Sequence, residues 1–343
     1  MTRVQSGYRV HRWGSEPLWE EFARPTAGEN EVLVQVEAGG VGLTVLNCIN
    51  GDLSDDEGLL PRVPGHELVG RVIEAGPGDG GTLVGRRVAA YFYLVCGECD
   101  ECMAGHDPTC TNLGGWIGVH RDGGYAPFVT LPVRNAIALP DGIDPVAATV
   151  VPDALATPVH VCFERAQIRP GERVAVVGAG GGVGVHMIQV ARLCGADVLG
   201  LDVQEQKLSM IEELGVQPVD SSDFDAVADT WIGPPPDVVV DLLGTEDSIA
   251  WALGALGQRG RLVVLTTFRG AASLVAPRDL VLGELSILGS KYASRAEVRT
   301  AADLVARGRI RPIIGQVGTP QDVPSLHEQL RSGRLLGRGA LRW

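Results

Sequence analysis

Basic charge is scarce in this 343-residue chain: 29 Lys+Arg stand against 42 Asp+Glu, a formal charge of −13. A balance so acidic repels phosphate backbones and anionic lipid and offers no surface that tracks them, so neither nucleic acid nor membrane is an expected partner. A small-molecule substrate is the expectation instead. Long apolar runs are also missing. The N-terminal stretch MTRVQSGYRVHRWGS lacks the apolar core of a signal peptide. The longest uncharged stretch, Val174 to Ala191, is interrupted by glycines, His186 and Gln189. An even, spread set of cysteines is absent as well: there are seven, and four of them fall between Cys96 and Cys110. A secreted disulfide framework spreads its cysteines and leaves none over. Reduced thiols in a cytoplasmic protein fit better, with Cys48, Cys162 and Cys194 free. No repeat or low-complexity segment interrupts the chain.

The length favours two domains. Val32–Ala38 and Glu67–Glu74 partly alternate apolar with polar residues, as half-buried strands do. With Val84–Tyr93 and Tyr125–Leu131 they predict a β-rich first domain of short strands and Gly/Pro turns, with no helical periodicity dominating before about residue 145. The rhythm then changes. Val174–Val177, Asp197–Asp202, Asp237–Asp241 and Arg261–Leu265 are near-continuous apolar strands alternating with helical stretches such as Val185–Leu193. Strands of that kind belong to a parallel sheet covered on both faces, so the fold class is α/β with a doubly wound domain over 154–285. The tail from Leu288 returns to mixed character, with a helix expected over Ala296–Arg307 and a strand over Arg338–Leu341.

Val174–Val177 runs into Gly178-Ala179-Gly180-Gly181-Gly182-Val183-Gly184 and then a helix. Missing Cβ atoms let backbone approach a pyrophosphate, and the helix N-terminus turns free N–H groups towards its charge. Asp202 ends the next strand about 20 residues on, where a carboxylate accepts hydrogen bonds from the adenosine ribose and repels a 2′-phosphate. NAD(H) is therefore the expected cofactor; the plainer reading is a packing turn and a surface acid. Cys96, Cys99, Cys102 and Cys110 are spaced to close a tetrahedron around a structural zinc, leaving no open position for water. Such a metal stabilises a loop too small to have its own core. A disulfide pair or an iron–sulfur centre is the alternative.

This order of elements, with Gly65-His66-Glu67 ahead of the cysteines, resembles the zinc-containing medium-chain dehydrogenase/reductase (alcohol dehydrogenase-like) family over essentially the full chain. The resemblance implies a GroES-like catalytic domain over 1–153 and 286–343, carrying the zinc lobe at 94–112, beside a Rossmann NAD-binding domain over 154–285. It implies that Thr157 packs against the nicotinamide, that Lys207 lies near the adenosine and that Arg338 reaches the pyrophosphate, alongside the turn residues Gly178, Gly180, Gly182, Val183 and Gly184. It matches His66 to a catalytic-zinc ligand, Glu67 to the acidic residue beside it, Asp153 to the third ligand and Thr44 to the hydroxyl that relays the proton. It also exposes a gap. The family's cysteine ligand falls on Gly42, and the aspartate that usually orients the ligands falls on Val45.

The expectation is thus an NAD(H)-dependent oxidoreductase acting on a carbonyl, an alcohol or an activated enone, with one structural zinc and an absent or altered catalytic one. Thr44, His66 and Asp153 are its candidate catalytic residues, and Leu43, Leu46 and Trp116 offer an apolar wall. The alternatives are a conventional zinc alcohol dehydrogenase with His66, Glu67 and Asp153 as ligands, or a non-redox protein that retains bound NAD. The family resemblance implies a homodimer or homotetramer.

Overall fold

The structure is a computed structural model describing residues 3–230, 233–266 and 272–343. It divides into two compact units, Met1–Ala156 with Ala293–Trp343, and Thr157–Tyr292. The sequence-based expectation put those boundaries at 153 and 285. In chain order the strands are β1 Val4–Arg9, β2 Leu18–Ala23, β3 Glu31–Val41, β4 Leu68–Ala75, β5 Arg87–Ala90, β6 Phe128–Pro132 and β7 Ala136–Ala138. They continue as β8 Arg173–Val177, β9 Asp197–Asp202, β10 Gln217–Asp220, β11 Val238–Asp241, β12 Arg261–Val264, β13 Ser286–Gly289, β14 Ile314–Gly318 and β15 Arg338–Arg342. The α-helices are α1 Leu43–Asn50, α2 Asp100–Met103, α3 Ala156–His160, α4 Gly184–Leu193, α5 Glu205–Glu213, α6 Phe224–Thr230, α7 Glu246–Ala255, α8 Pro277–Gly283, α9 Arg295–Ala306 and α10 Val323–Arg331.

The first unit is built on a seven-stranded sheet in the order β14-β15-β3-β4-β5-β7, with β6 also paired to β3. Strand β3 is its hub, and Val32, Val34, Val36, Ala38 and Val41 on it are buried. The sheet brings the two ends of the chain together, because β15 pairs antiparallel with β3 through Gly339–Val41 and Ala340–Gly40. That register sets Arg338 one step beyond Val41, beside Gly42. Helix α1 follows at once, one of two short α-helices among the strands before residue 145, a segment in which no helical periodicity was expected to dominate. Its eight residues bury Val45, Leu46, Cys48 and Ile49, of which Val45, Leu46 and Ile49 join a core with Tyr8, Val41, Tyr125 and Leu326. Gly51, at φ 85°, ends it in the left-handed conformation that glycine adopts without cost.

The second unit holds a six-stranded parallel sheet in the order β10-β9-β8-β11-β12-β13. This is the doubly wound order, in which ligands bind beyond the carboxyl ends of the strands where the order reverses. Every residue of β8 is buried, which is why Val174–Val177 reads as an unbroken apolar run after Arg173.

Candidate active site

The turn after β8 has the shape its glycines predict. Gly178 sits at φ 79°, a left-handed position. A side chain at Gly180 would strike the Lys207 side chain and lie 2.9 Å from Asp202 Oδ2, and one at Gly184 would strike the Gly178 carbonyl and the backbone of Ala179. Strand, turn and α4 therefore close together only without those Cβ atoms, and Gly182 and Val183 complete the turn into α4. Asp202 is buried at the end of β9, where its carboxylate accepts from the Gly180 N–H at 2.9 Å and the Val203 N–H at 2.8 Å. A fixed anion thus stands at the lip of a backbone cradle, which fits NAD and disfavours an added 2′-phosphate. Lys207 lies half-buried in α5, against the turn, and Thr157 is buried in α3.

The four lobe cysteines converge as expected. Cys96 Sγ lies 3.6 Å from Cys110 Sγ and 4.0 Å from Cys102 Sγ, and Cys99 Sγ lies 3.9 Å from Cys110 Sγ. Four sulfurs about 2.3 Å from a tetrahedral zinc stand about 3.8 Å apart, so the set fits that ion. Backbone N–H groups of Glu98 and Cys99 hold the Cys96 thiol below its ordinary pKa, and the Cys102 N–H is the main cause that brings Cys99 down to about 5. Burial pushes Cys102 up to about 12, so its thiolate needs the cation beside it. The lobe is pinned to α9: Asp107 accepts from Arg295 Nε and Nη2, each at 3.0 Å, and from its backbone N–H at 2.9 Å.

His66, Glu67 and Asp153 meet at the end of β3, all buried, with one ligand atom from each within 4.8 Å of the others. Asp153 comes from the helical turn Val151–Leu155. Its Oδ2 lies 3.1 Å from His66 Nε2 and accepts from the Thr44 hydroxyl at 3.4 Å. The His66 ring packs against Phe92 with centroids 4.2 Å apart, and its Nδ1 is buried without a hydrogen-bond partner. Thr44 is half-exposed in the first turn of α1, so a hydrogen-bonded line runs from an accessible hydroxyl through a carboxylate to an imidazole.

Arg338 completes the cluster. Its guanidinium is buried, and Nη2 donates to Glu67 Oε2, while Glu67 Oε1 accepts from the Ala154 N–H at 3.3 Å. Burial works against the arginine's charge, but the Glu67 and Asp153 carboxylates outweigh it and raise its pKa above the ordinary value. The pair has room because two side chains are missing: a Cβ at Gly40 would lie 2.6 Å from Glu67 Oε2, and a Cβ at Gly42 would overlap the Arg338 guanidinium. The expected pyrophosphate arginine is therefore tied to Glu67, in the space a side chain at position 42 would take. Val45 is core. A catalytic zinc with a thiolate at 42 does not fit these residues.

Sequence reasoning missed Gly40, Phe92 and the Glu67–Arg338 pairing. The glycine run Gly39-Gly40-Val41-Gly42 in a strand was the available signal, since such glycines mark a close approach. Of the proposed apolar wall, Leu46 is core, Leu43 is exposed, and Trp116 stacks edge-on to Tyr93 at 6.1 Å.

A doubly wound unit with a dinucleotide cradle, carried in one chain with a β-rich unit that gathers acid–base side chains, defines a nicotinamide-dependent oxidoreductase. Comparison with known proteins gives the family. Residues 28–141 match the alcohol dehydrogenase GroES-like domain and residues 182–307 the zinc-binding dehydrogenase domain. An alcohol dehydrogenase of Geobacillus stearothermophilus is 32% identical, over 94% of this chain and 94% of its own. An acryloyl-coenzyme A reductase of Metallosphaera sedula is 28% identical over 96% of each. A solved thermostable alcohol dehydrogenase from Pyrobaculum aerophilum superimposes with a TM-score of 0.90 at 30% identity, over 99% of this chain and 100% of the other. The chain belongs to the medium-chain, alcohol dehydrogenase-like family and is an NAD-dependent oxidoreductase that carries a structural-zinc lobe. No helix among the described residues is long and apolar enough to cross a membrane.

Proposed function

We propose that this protein reduces an activated carbonyl compound, an enone or a reactive ketone, with NADH and without a catalytic metal. The observation that carries this reading is the Arg338 guanidinium in the space of a side chain at position 42. Bound NADH supplies the hydride. The chain's own residues supply the proton and the placement: the Thr44 hydroxyl donates to the substrate oxygen, and Asp153 and His66 behind it hold and pass on the proton. A hydroxyl is a weaker electrophile than a dication, so substrates already activated by conjugation suit the site better than simple alcohols. The likeness to an acryloyl-coenzyme A reductase agrees with that preference.

A second reading keeps a metal on His66, Glu67 and Asp153, and the 4.8 Å convergence of their donors favours it. The ion pair that occupies Glu67 weighs against it. The test is a screen of aldehydes, ketones and enoyl thioesters with NADH, followed by its absorbance, on protein whose zinc has been counted. About one zinc per chain with turnover of conjugated carbonyls is expected. Inertness towards every class would overturn the redox reading, and about two zinc per chain the metal-free one.

We further propose a homo-oligomer in the cytoplasm. Strand β13 is a sheet edge with Ile287 exposed, and Val281 and Leu282 of α8 are exposed close to it in sequence, which is the kind of edge a second copy covers. All seven cysteines are free, as a reducing compartment keeps them. A monomer by light scattering would remove the first of these proposals.

A further inference from the structure

The zinc lobe and the acid–base cluster leave Cys48, Cys162 and Cys194 unused, and the last two meet inside the cofactor unit. Cys162 stands in the helical turn Val161–Arg165, which continues α3, and Cys194 follows α4 directly. That turn packs against α4, where the Cys162 thiol lies 3.7 Å from Met187 Sδ and hydrogen-bonds the Cys194 sulfur. One connector, 168–171, holds both ends in place. The Ile168 N–H donates to the Cys162 carbonyl at 2.8 Å, and the Gly171 N–H donates to the Gly195 carbonyl at 2.9 Å. Two thiols brought into contact by backbone fixed on either side need little movement to be joined.

Their surroundings give them different roles. Cys162 is fully buried, and burial first, then the neighbouring Cys194 sulfur, raises its pKa well above the ordinary thiol value. Cys194 is half-buried, and the hydrogen bond from Cys162 lowers its pKa. Buried cysteine on its own serves as a small apolar filler. A second cysteine, partly open to solvent and hydrogen-bonded to the first, adds a thiol that an oxidant can reach with a resolving thiol behind it.

We propose that Cys162 and Cys194 form a reversible, peroxide-sensitive disulfide, with Cys194 the sulfur that meets the oxidant and Cys162 the sulfur that closes the bond. The Cys194 thiolate attacks one oxygen of hydrogen peroxide, the O–O bond breaks, and the departing hydroxide takes up a proton, leaving Cys194 as a sulfenic acid beside one water. The Cys162 sulfur then attacks the Cys194 sulfur. The S–O bond breaks as the S–S bond forms, and the second hydroxide leaves as water with the Cys162 proton. Two thiols thus lose two electrons and two protons, peroxide becomes two waters, and an added dithiol reverses the bond by exchange. The bond joins the helical run that carries Thr157 to the helix that opens at the glycine turn, so oxidation acts on the unit built around the dinucleotide cradle.

The test treats the zinc-loaded full chain with hydrogen peroxide, alkylates the remaining thiols under denaturing conditions and maps the peptides by mass spectrometry without reduction. A linked Cys162–Cys194 peptide, two hydrogens lighter than the separate pair and lost on addition of dithiothreitol, is expected while the lobe still holds its zinc. Cys162→Ala should leave Cys194 as a sulfenic acid that dimedone traps, whereas Cys194→Ala should leave Cys162 unmodified, because it lies out of solvent behind its partner. A wild type in which both thiols are still alkylated after the lobe has lost its zinc would overturn the proposal. So would a Cys194 that stops at sulfenic or sulfinic acid with Cys162 still a thiol. If either variant fails to fold, the wild-type map alone decides between these outcomes.

Discussion

One carboxylate oxygen organises the reacting end of the site. Asp153 Oδ2 is shared between the Thr44 hydroxyl and His66 Nε2, so in the proposed reaction the orientation of the Thr44 hydroxyl is set by Asp153. Replacing Thr44 with Ala removes the accessible end of that line and leaves the cofactor turn untouched. A positioned proton-transfer group contributes about 10²- to 10⁴-fold, and Thr44→Ala should lower kcat towards the bottom of that range with KM for NADH nearly unchanged. Thr44→Ser should recover most of the rate. Equal losses in kcat and in cofactor affinity would assign Thr44 to packing. Asp202 offers a separate test on the other unit. Its carboxylate is fixed by two backbone N–H groups, and hydrogen bonds to a charged group are worth about 1.5–3 kcal/mol. Asp202→Gly should therefore reduce the preference for NAD over NADP in kcat/KM by about 10- to 100-fold. An unchanged ratio would remove Asp202 from the ribose site.

Among the elements, the cysteine lobe is the one whose stability is borrowed. Its only regular pieces are the short α2 and a turn at Asp107–Thr109, and the bonds that tie it to the rest of its unit include those from Asp107 to Arg295. Asp107 is almost fully buried, and Arg295, at 24% side-chain exposure, is partly so. Removing one partner of a buried pair costs about 3–5 kcal/mol, and the exposure of Arg295 lowers that to about 2–3 kcal/mol for Asp107→Asn, measurable as a shift in urea midpoint. Cys110→Ser should destabilise more, because zinc loses a ligand while the other three thiols stay clustered; a variant as stable as wild type would mean that the lobe does not depend on metal. The lobe and the β8 turn were legible because their signals are local: cysteine spacing, and glycines between an apolar strand and a helix. Strand β9 was read at its observed bounds for the same reason. Helix α1 was not, since eight residues are too few to establish a period, and the glycines before it read as the end of a strand.

At the scale of the molecule, the parts that sequence could not show are those made by chain return. Gly42 looked like a missing ligand until β15 came back to pair with β3 and set Arg338 beside it. The same return buries α10 against the first unit's core, and with it His327. His327 lies fully buried with Nε2 3.1 Å from the Tyr125 hydroxyl and Nδ1 without a partner. Burial, aided by the nearby Arg331 charge, lowers its pKa from the ordinary 6.5 to about 4, so the folded chain holds it neutral. Above pH 6.5 neither state binds the proton, and the stabilising contribution of the neutral ring is fully present. As pH falls from 6.5 towards 4, the unfolded chain takes up a proton that the folded chain refuses, and stability drops across that window by about 3 kcal/mol. Urea midpoints at pH 7, 5.5 and 4.5 measure this directly. His327→Gln, which keeps a hydrogen-bonding group for Tyr125 but cannot titrate, should lose less stability between pH 7 and 4.5 than wild type; parallel losses in the two proteins would mean that carboxylates, which outnumber basic groups in this acidic chain, set the acid limb and that His327 does not.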